Sequence, residues 1–586
     1  MKLTTLAVIA CASTGAGCAP SHPRPFPLRE PFLVDTDLRP VSVPCRPEPG
    51  KDHHWTCAPR EYVSPFVWDQ VDNIWFAPLS RAFSVEVSGE AVDVNSLDEV
   101  PDSSWFTNRP RGDVVRAEAN PDAPGACTAD DMLPRADDVH DGAWLIDHGK
   151  DNGSTQGFRI KVPERGTYLM KADDQGKPER ASAASVIGAA IYHAIGFNTS
   201  CEQIVVLRKG QLKLGAGLTV VENSGVSHPF DDAALDRVLA STTQVAGHRV
   251  RMQASKWLPG LTIGPFRYIG TRPDDPNDVV DHADRRELRA SRVLSAWLDH
   301  WDAREQNSMD VWMAADPRDK HSSPGYVMHY FIDTSDTLGG DVTVAEMSRR
   351  LGHAYDVDFG EIGRALVTFG AQERPWDHAR IEPGREKFSY FRIADFDPPA
   401  WKPMYPNPAF QRMTERDAAW MARLIARFSD DDIRRFVALG QWRDPGDAQY
   451  LIDILIERQR RILVRYLGVL SPLGEVRTEH GTDGPDRICA VDFARLRQIV
   501  PADRFHYAIA ERGGGASVTV PAEVGDDGEV CFRPRSVVSG ELADADPERR
   551  VTFEITNGTA AGPLVLHTYD LGRRGVRLVG VTRPEP

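Results

Sequence analysis

The sequence predicts an α+β protein in four consecutive parts: a loop-rich extension over residues 31–140, a β-rich lobe over 141–215, a helical lobe over 216–470 and a small all-β domain over 471–586. Three observations predict it. Strand-like runs at Arg159–Val162 and Thr167–Lys171 flank the turn Pro163-Glu-Arg-Gly166, the pattern of a hairpin. Apolar residues return at three-and-four spacing from Leu294 onward, then over 361–369, 414–428, 430–439 and 448–467, the period of helices with one buried face. After Pro472 the chain breaks into short Val-, Thr- and Gly-rich runs such as Ala516–Val520, Arg550–Ile555 and Val576–Val581.

Taken in order, residues 1–18 carry one lysine, a short apolar run and a small-residue stretch ending at Cys18. That is an export signal, too short to cross a bilayer. Gly15-Ala-Gly-Cys18 is similar to a bacterial lipoprotein cleavage box, with Gly15 where Leu is usual, so Cys18 is the expected lipidation site. The alternative is simple secretion. Residues 19–30 are proline-rich and read as an extended linker. The extension over 31–140 scatters Trp68, Trp75 and Trp105 among prolines, so it is expected to pack on a neighbour.

Next, Lys150-Asp-Asn-Gly153-Ser-Thr-Gln-Gly157 forms a glycine loop ahead of the predicted hairpin, and Lys171 stands near the end of its second strand. Glu179–Ile195 is a predicted helix that Gly196 ends, with Ala183, Val186, Ile187, Ala190 and Ile191 on its apolar side. Strands are expected at Gln203–Leu207 and Gln211–Leu214, then loop-rich sequence to Asp284. No run beyond the leader is long and apolar enough to span a membrane.

A net charge of -16 without a basic cluster argues against nucleic-acid partners and against general affinity for anionic lipid. Six cysteines lie beyond the leader with no C-x-x-C spacing, which points to disulfides in an oxidising compartment rather than to metal ligands. Cys45 with Cys57 and Cys489 with Cys531 are the expected pairs, because each shares one segment.

The densest chemistry runs from Leu294 to Asn307 and on to Asp333. Leu294, Trp297, Leu298 and Trp301 fall on one helix face, and the chain then presents His300-Trp-Asp302 and Asn307. This spacing matches the protein-kinase catalytic loop H-R-D-L-x-x-x-N, with Trp for Arg and Ala for Leu. In that loop the Asp accepts the proton of the attacking hydroxyl and the Asn holds magnesium on the phosphates. Val311–Met313 and Tyr326–Ile332 read as paired strands, placing Asn307 at the mouth of a hairpin and Asp333 at its exit. Two such oxygen ligands suit one hard cation. An Asp five residues before an Asn is common by itself; the helix, hairpin and second acid give the match its weight. The literal Asp358-Phe-Gly360 is rejected as the metal-binding tripeptide, because it lies far from Asn307 and leads straight into a helix.

Lys150–Phe158, Tyr168–Asp173, Pro178-Glu179, Trp297–Asp302 with Asn307, Tyr330–Asp333 and Trp401–Pro408 together look like a family of bacterial exported proteins and lipoproteins. Its core resembles the atypical protein-kinase-like fold of the HipA toxin kinases and the spore-coat CotH kinases. The resemblance covers roughly residues 95–470. It implies a kinase-like two-lobe core using ATP and Mg2+, in which Gly153 and Gly157 cover the nucleotide and Lys171, partnered by Glu179, holds its phosphates. Asp302 would be the catalytic acid–base with His300 beside it, and Asn307 and Asp333 the metal ligands.

The function expected on this basis is phosphotransfer to a protein hydroxyl by a lipid-anchored cell-envelope protein, with an envelope protein as substrate or binding partner. A catalytically inactive kinase-like scaffold is the alternative. A third reading, a zinc hydrolase using His300, Asp302, His329 and Asp333, is weaker, because four residues of strand separate the Cα atoms of His329 and Asp333 by about 13 Å.

Overall fold

The computed structural model describes residues 26–585 apart from short stretches at 49, 52, 64–67, 69–70, 83–88, 152, 154, 223–224, 341–344, 481–485 and 536–541. The expected leader, Cys18 and the first part of the linker lie outside the described residues.

The chain is α+β. Its first sheet contains Trp144–Gly149 (β1), Gly157–Val162 (β2) and Gly166–Ala172 (β3), three antiparallel neighbours. Helix α1, Arg180–Ile195, follows. Glu202–Leu207 (β4) and Arg249–Lys256 (β5) join the same seven-stranded sheet, with β5 antiparallel to both β3 and β4 and the short strands Leu212–Leu214 and Gln244–Val245 at its margins. The sheet therefore draws a strand from beyond residue 215, where loop was expected. The reason is visible in β5: Arg251, Gln253 and Ser255 alternate with Val250, Met252 and Ala254, yet five successive residues from Val250 are buried. Its polar side chains serve internal hydrogen bonds, so the in–out contrast that marks a half-exposed strand is lost.

Helix α1 is interior rather than amphipathic, with Ala, Ser and Gly letting its neighbours approach on every side. Asp173 caps its start, accepting from Glu179 N at 2.8 Å and Ser182 N at 2.9 Å; Gly196, at φ 139°, closes its end. Below it lies the helical lobe. Arg286–Leu298 (α2) leads to a hairpin of Ser308–Ala314 (β6) and Gly325–Phe331 (β7). Glu415–Ile425 (α3), Asp430–Ala438 (α4) and Pro445–Leu467 (α5) follow. Thr414 and Ser429 open α3 and α4 with capping boxes closed by Asp417 and Asp432. α2, α3 and α5 share one core, where Trp297 donates Nε1–H to Leu455 O at 2.8 Å.

Trp105 and Phe106 of the extension are buried in this core, whereas Trp68 and Trp75 are exposed. The C-terminal domain is two antiparallel sheets of four and five strands around Ile488, Val530, Ile509, Phe553 and Leu566. Cys45–Cys57 and Cys489–Cys531 are disulfides, and Cys127–Cys201 is the third. Three such bonds fit an oxidising compartment. Among the described residues no helix is long and apolar enough to cross a membrane.

Candidate functional site

The site forms where β3 ends above the open end of the β6–β7 hairpin. Lys171 is the penultimate residue of β3, and its Nζ stands 2.8 Å from Asp333 Oδ1. Asp333 lies two residues past the end of β7, at a left-handed φ of 57° that Asp tolerates better than most residues. Ser335 Oγ donates to the same Oδ1 at 2.7 Å. Burial alone would raise the Asp333 carboxyl; the Lys171 ammonium outweighs it and holds the group well below the usual carboxylate range. Burial would likewise lower Lys171, but Asp333 and then Glu202 hold its proton on.

Asn307 terminates the loop that begins at α2. Its Nδ2 donates to Asp302 O at 2.8 Å and Asp302 Oδ2 at 3.0 Å, which leaves its Oδ1 for another partner. Ile332 N donates to Asn307 O at 3.0 Å, so Asn307 and Asp333 occupy adjoining places at the hairpin's open end. Arg304 Nε lies 2.9 Å from Asp302 Oδ1. Burial pushes the Asp302 carboxyl up to about 7 against the pull of Arg304, and Asp336 and Asp333 push the same way. Asp336 is itself pushed up to about 6, first by burial and then by Asp333.

The glycine loop brings a second lysine. Gly157 begins β2 so close to β3 that a Cβ would lie 2.2 Å from Met170 O, and Gly153 has φ 88° with Lys150 Nζ within 2.8 Å of the place its Cβ would occupy. The Lys150 ammonium is lowered to about 8, by burial first and then by repulsion from Lys171. Lys171, Lys150, Asp333, Asp302, Asp336 and Asn307 thus form one cluster in which hard oxygen donors face cationic groups. Such a donor set fits a hard divalent cation with a polyanion: Asn307 Oδ1 and the Asp333 carboxylate could hold the ion, and the two lysines the anion.

Two residues singled out in the sequence behave differently. Glu179 does not pair with Lys171: its carboxylate meets Arg443 Nε at 2.9 Å and Lys387 Nζ at 3.6 Å, because it precedes α1 and turns toward the C-terminal helices. The acid facing Lys171 is Glu202 of β4, buried among the hydroxyls of Ser185, Ser200 and Ser255 and Gln253 Nε2, all within 3.0 Å. His300 is buried at 1% exposure, its Nδ1 hydrogen-bonded to Tyr192 Oη at 2.8 Å. Burial lowers its pKa to about 4, so the ring is neutral at physiological pH.

The loop after Asp333 is clamped by α1. Arg180 donates to Ser335 O at 2.8 Å and Thr334 Oγ1 to Ser185 O at 2.8 Å, while Gly188 admits the Thr334 side chain where a Cβ would sit 2.8 Å away. Sequence reasoning missed Glu202, Asp336, Arg180 and Arg304. Only Lys150 carried a signal, its place in the glycine loop.

The zinc arrangement does not form. His329 bonds Asp310 at 2.6 Å and stacks on Trp105 at 3.5 Å. Among the described residues the one group of three His, Cys, Asp or Glu side chains close enough to share a metal is Cys489, Glu529 and Cys531, whose sulfurs form a disulfide. Asp358 of the literal D-F-G caps the helix Phe359–Val367 and pairs with Lys402 Nζ at 2.6 Å. No family model, curated protein or solved structure matches this chain.

Proposed function

We propose that the protein is an atypical, kinase-like phosphotransferase that uses ATP and magnesium to modify a protein hydroxyl in the cell envelope, held there through a lipid on Cys18. One observation carries this: the Lys171–Asp333 contact of 2.8 Å, made between two lobes beside the Asp302–Asn307 pair. In this reading Lys171 and Lys150 bind phosphate oxygens, Asn307 and Asp333 hold the metal, and Asp302 accepts the proton of the acceptor hydroxyl. Bound magnesium would neutralise phosphate charge, the dominant requirement of phosphoryl transfer. A carboxyl at about 7 is balanced between accepting and releasing a proton near neutrality.

Arg304 beside Asp302 Oδ1 favours a second reading, in which the loop is locked and the protein is an inactive binding scaffold. ATP is scarce outside the cytoplasm, which points the same way. Calorimetry with a non-hydrolysable ATP analogue separates the two. Magnesium-dependent binding that disappears in Asp333→Ala supports the phosphotransferase; no binding at millimolar nucleotide rules it out.

A further inference from the structure

A well-formed cavity lies away from this cluster. It has a volume of about 640 Å3 and lies between the extension and the segment that leads to β6. Val43, Ala58, Pro59 and Tyr62 form one wall and Pro265 and Phe266 the other. That volume falls within the range of small-molecule sites, which pair an apolar body with few convergent polar groups.

The walls are built rather than incidental. Cys45–Cys57 ties the outer wall together. The Arg46 guanidinium is spent on the carbonyls of Ala58 and Pro59, and Arg272 on Asp310 Oδ2 at 2.8 Å and Ile263 O at 3.2 Å. His282 is consumed by Arg267 O and Asp278. Asp274 is engaged by Arg272 Nε at 3.3 Å and by Arg60 N.

Two cations are left over. Arg60 and Arg267 line the cavity as exposed residues, and among the described residues no carboxylate pairs with either guanidinium; Arg267 is stacked over the Tyr62 ring at 4.4 Å. Against them stands one solvated carboxylate, Glu61. An excess of positive charge at an apolar cavity, on a chain of net charge -16, selects for an anion.

From this we infer that the cavity is a second binding site, for a small molecule with an apolar body and one anionic group, whose charge meets Arg60 and Arg267. The site is independent of the phosphotransfer reading. It also touches that hairpin: Phe266 N donates to Ser308 Oγ at 3.1 Å, one residue from Asn307.

The test uses the whole protein and two anionic probes, decanoate below its micellar concentration and 2-naphthoate, each beside its neutral counterpart, decanol and 2-naphthalenemethanol. Calorimetry should give saturable one-to-one binding of at least one anion, about tenfold or more tighter than its neutral counterpart, as expected for a charge-assisted contact. Arg60→Gln with Arg267→Gln should remove that preference, while Thr271→Trp, which fills the cavity from an exposed lining position, should abolish binding of both forms. Single Arg variants serve if the double variant does not fold. The inference fails if neither anion binds saturably, if charge makes no difference, or if the double variant keeps the preference.

Discussion

The hairpin β6–β7 carries two charged clusters and treats them in opposite ways. Midway along it Asp310 and His329 face each other across the strands, joined at 2.6 Å, and Arg272 takes the other Asp310 oxygen at 2.8 Å. All three are buried, and Trp105 covers the imidazole. At its open end Asp333 keeps 30% of its side chain exposed, and three carboxylates crowd against Lys171, Lys150, Arg180 and Arg304. One cluster pairs opposite charges directly inside the protein; the other holds like charges together and shifts their protons. Crowding of that kind marks functional sites, whereas closed networks mark scaffolding.

The largest expected effect tests the closed cluster. Asp310→Ala strands Arg272 and His329 in the interior and should lower stability by about 3–5 kcal/mol in denaturant unfolding. Asp333→Ala should cost clearly less, and equal losses would break the comparison.

Next in size is a pH effect. Asp302 and Asp336 keep protons in the folded chain that unfolded carboxyls release, so their stabilising contribution is complete below about pH 4 and is lost as pH rises through about 6 to 7. Asp333, held low, acts in the opposite sense, contributing above the ordinary carboxylate range and losing that contribution as pH falls below it. These two carboxyls should therefore pull stability down between about pH 4.5 and 7.5, against the opposite pull of buried His300 below about pH 6.5, and Asp302→Asn should make the pH slope more positive; an unchanged slope would count against the shift.

Gly188→Ala presses on Thr334 and should cost about 1–3 kcal/mol by overpacking, weakening nucleotide binding with it. Lys171→Met should change stability by only about 1 kcal/mol, because Lys150 remains near Asp333. Nucleotide affinity should nevertheless fall on the order of 10- to 100-fold. Smallest, Asp358→Ala removes a helix cap worth about 1 kcal/mol and should leave nucleotide binding untouched.

Much of the lower half of the site was legible because it is local. Periodicity placed the α2 helix, and β-branched and aromatic runs placed the strands that deliver Asn307 and Asp333 to neighbouring positions. The upper half was legible as far as the β2–β3 hairpin and Lys171. What escaped is non-local. The sequence offered Glu179, at the start of the predicted helix, as the partner of the strand lysine; only the sheet order, with β5 lying between β3 and β4, brings Glu202 to it. The pairing of Cys127 with Cys201, 74 residues apart, depends on the same folding of the extension against the sheet.

Phe106 packs on Trp420 at 5.2 Å, and Trp420 Nε1 donates to Glu99 Oε2 at 2.8 Å, across more than three hundred residues of chain. A ribosome adding about 5–20 residues per second needs roughly 15–60 s to supply the second aromatic after the first. During that interval Phe106 has Phe197, at 5.5 Å, but lacks Trp420, and part of its apolar surface is open to misassociation. Newborn chains should therefore depend on a holding factor until the C-terminal helices emerge, and truncation after the hairpin should yield an insoluble product.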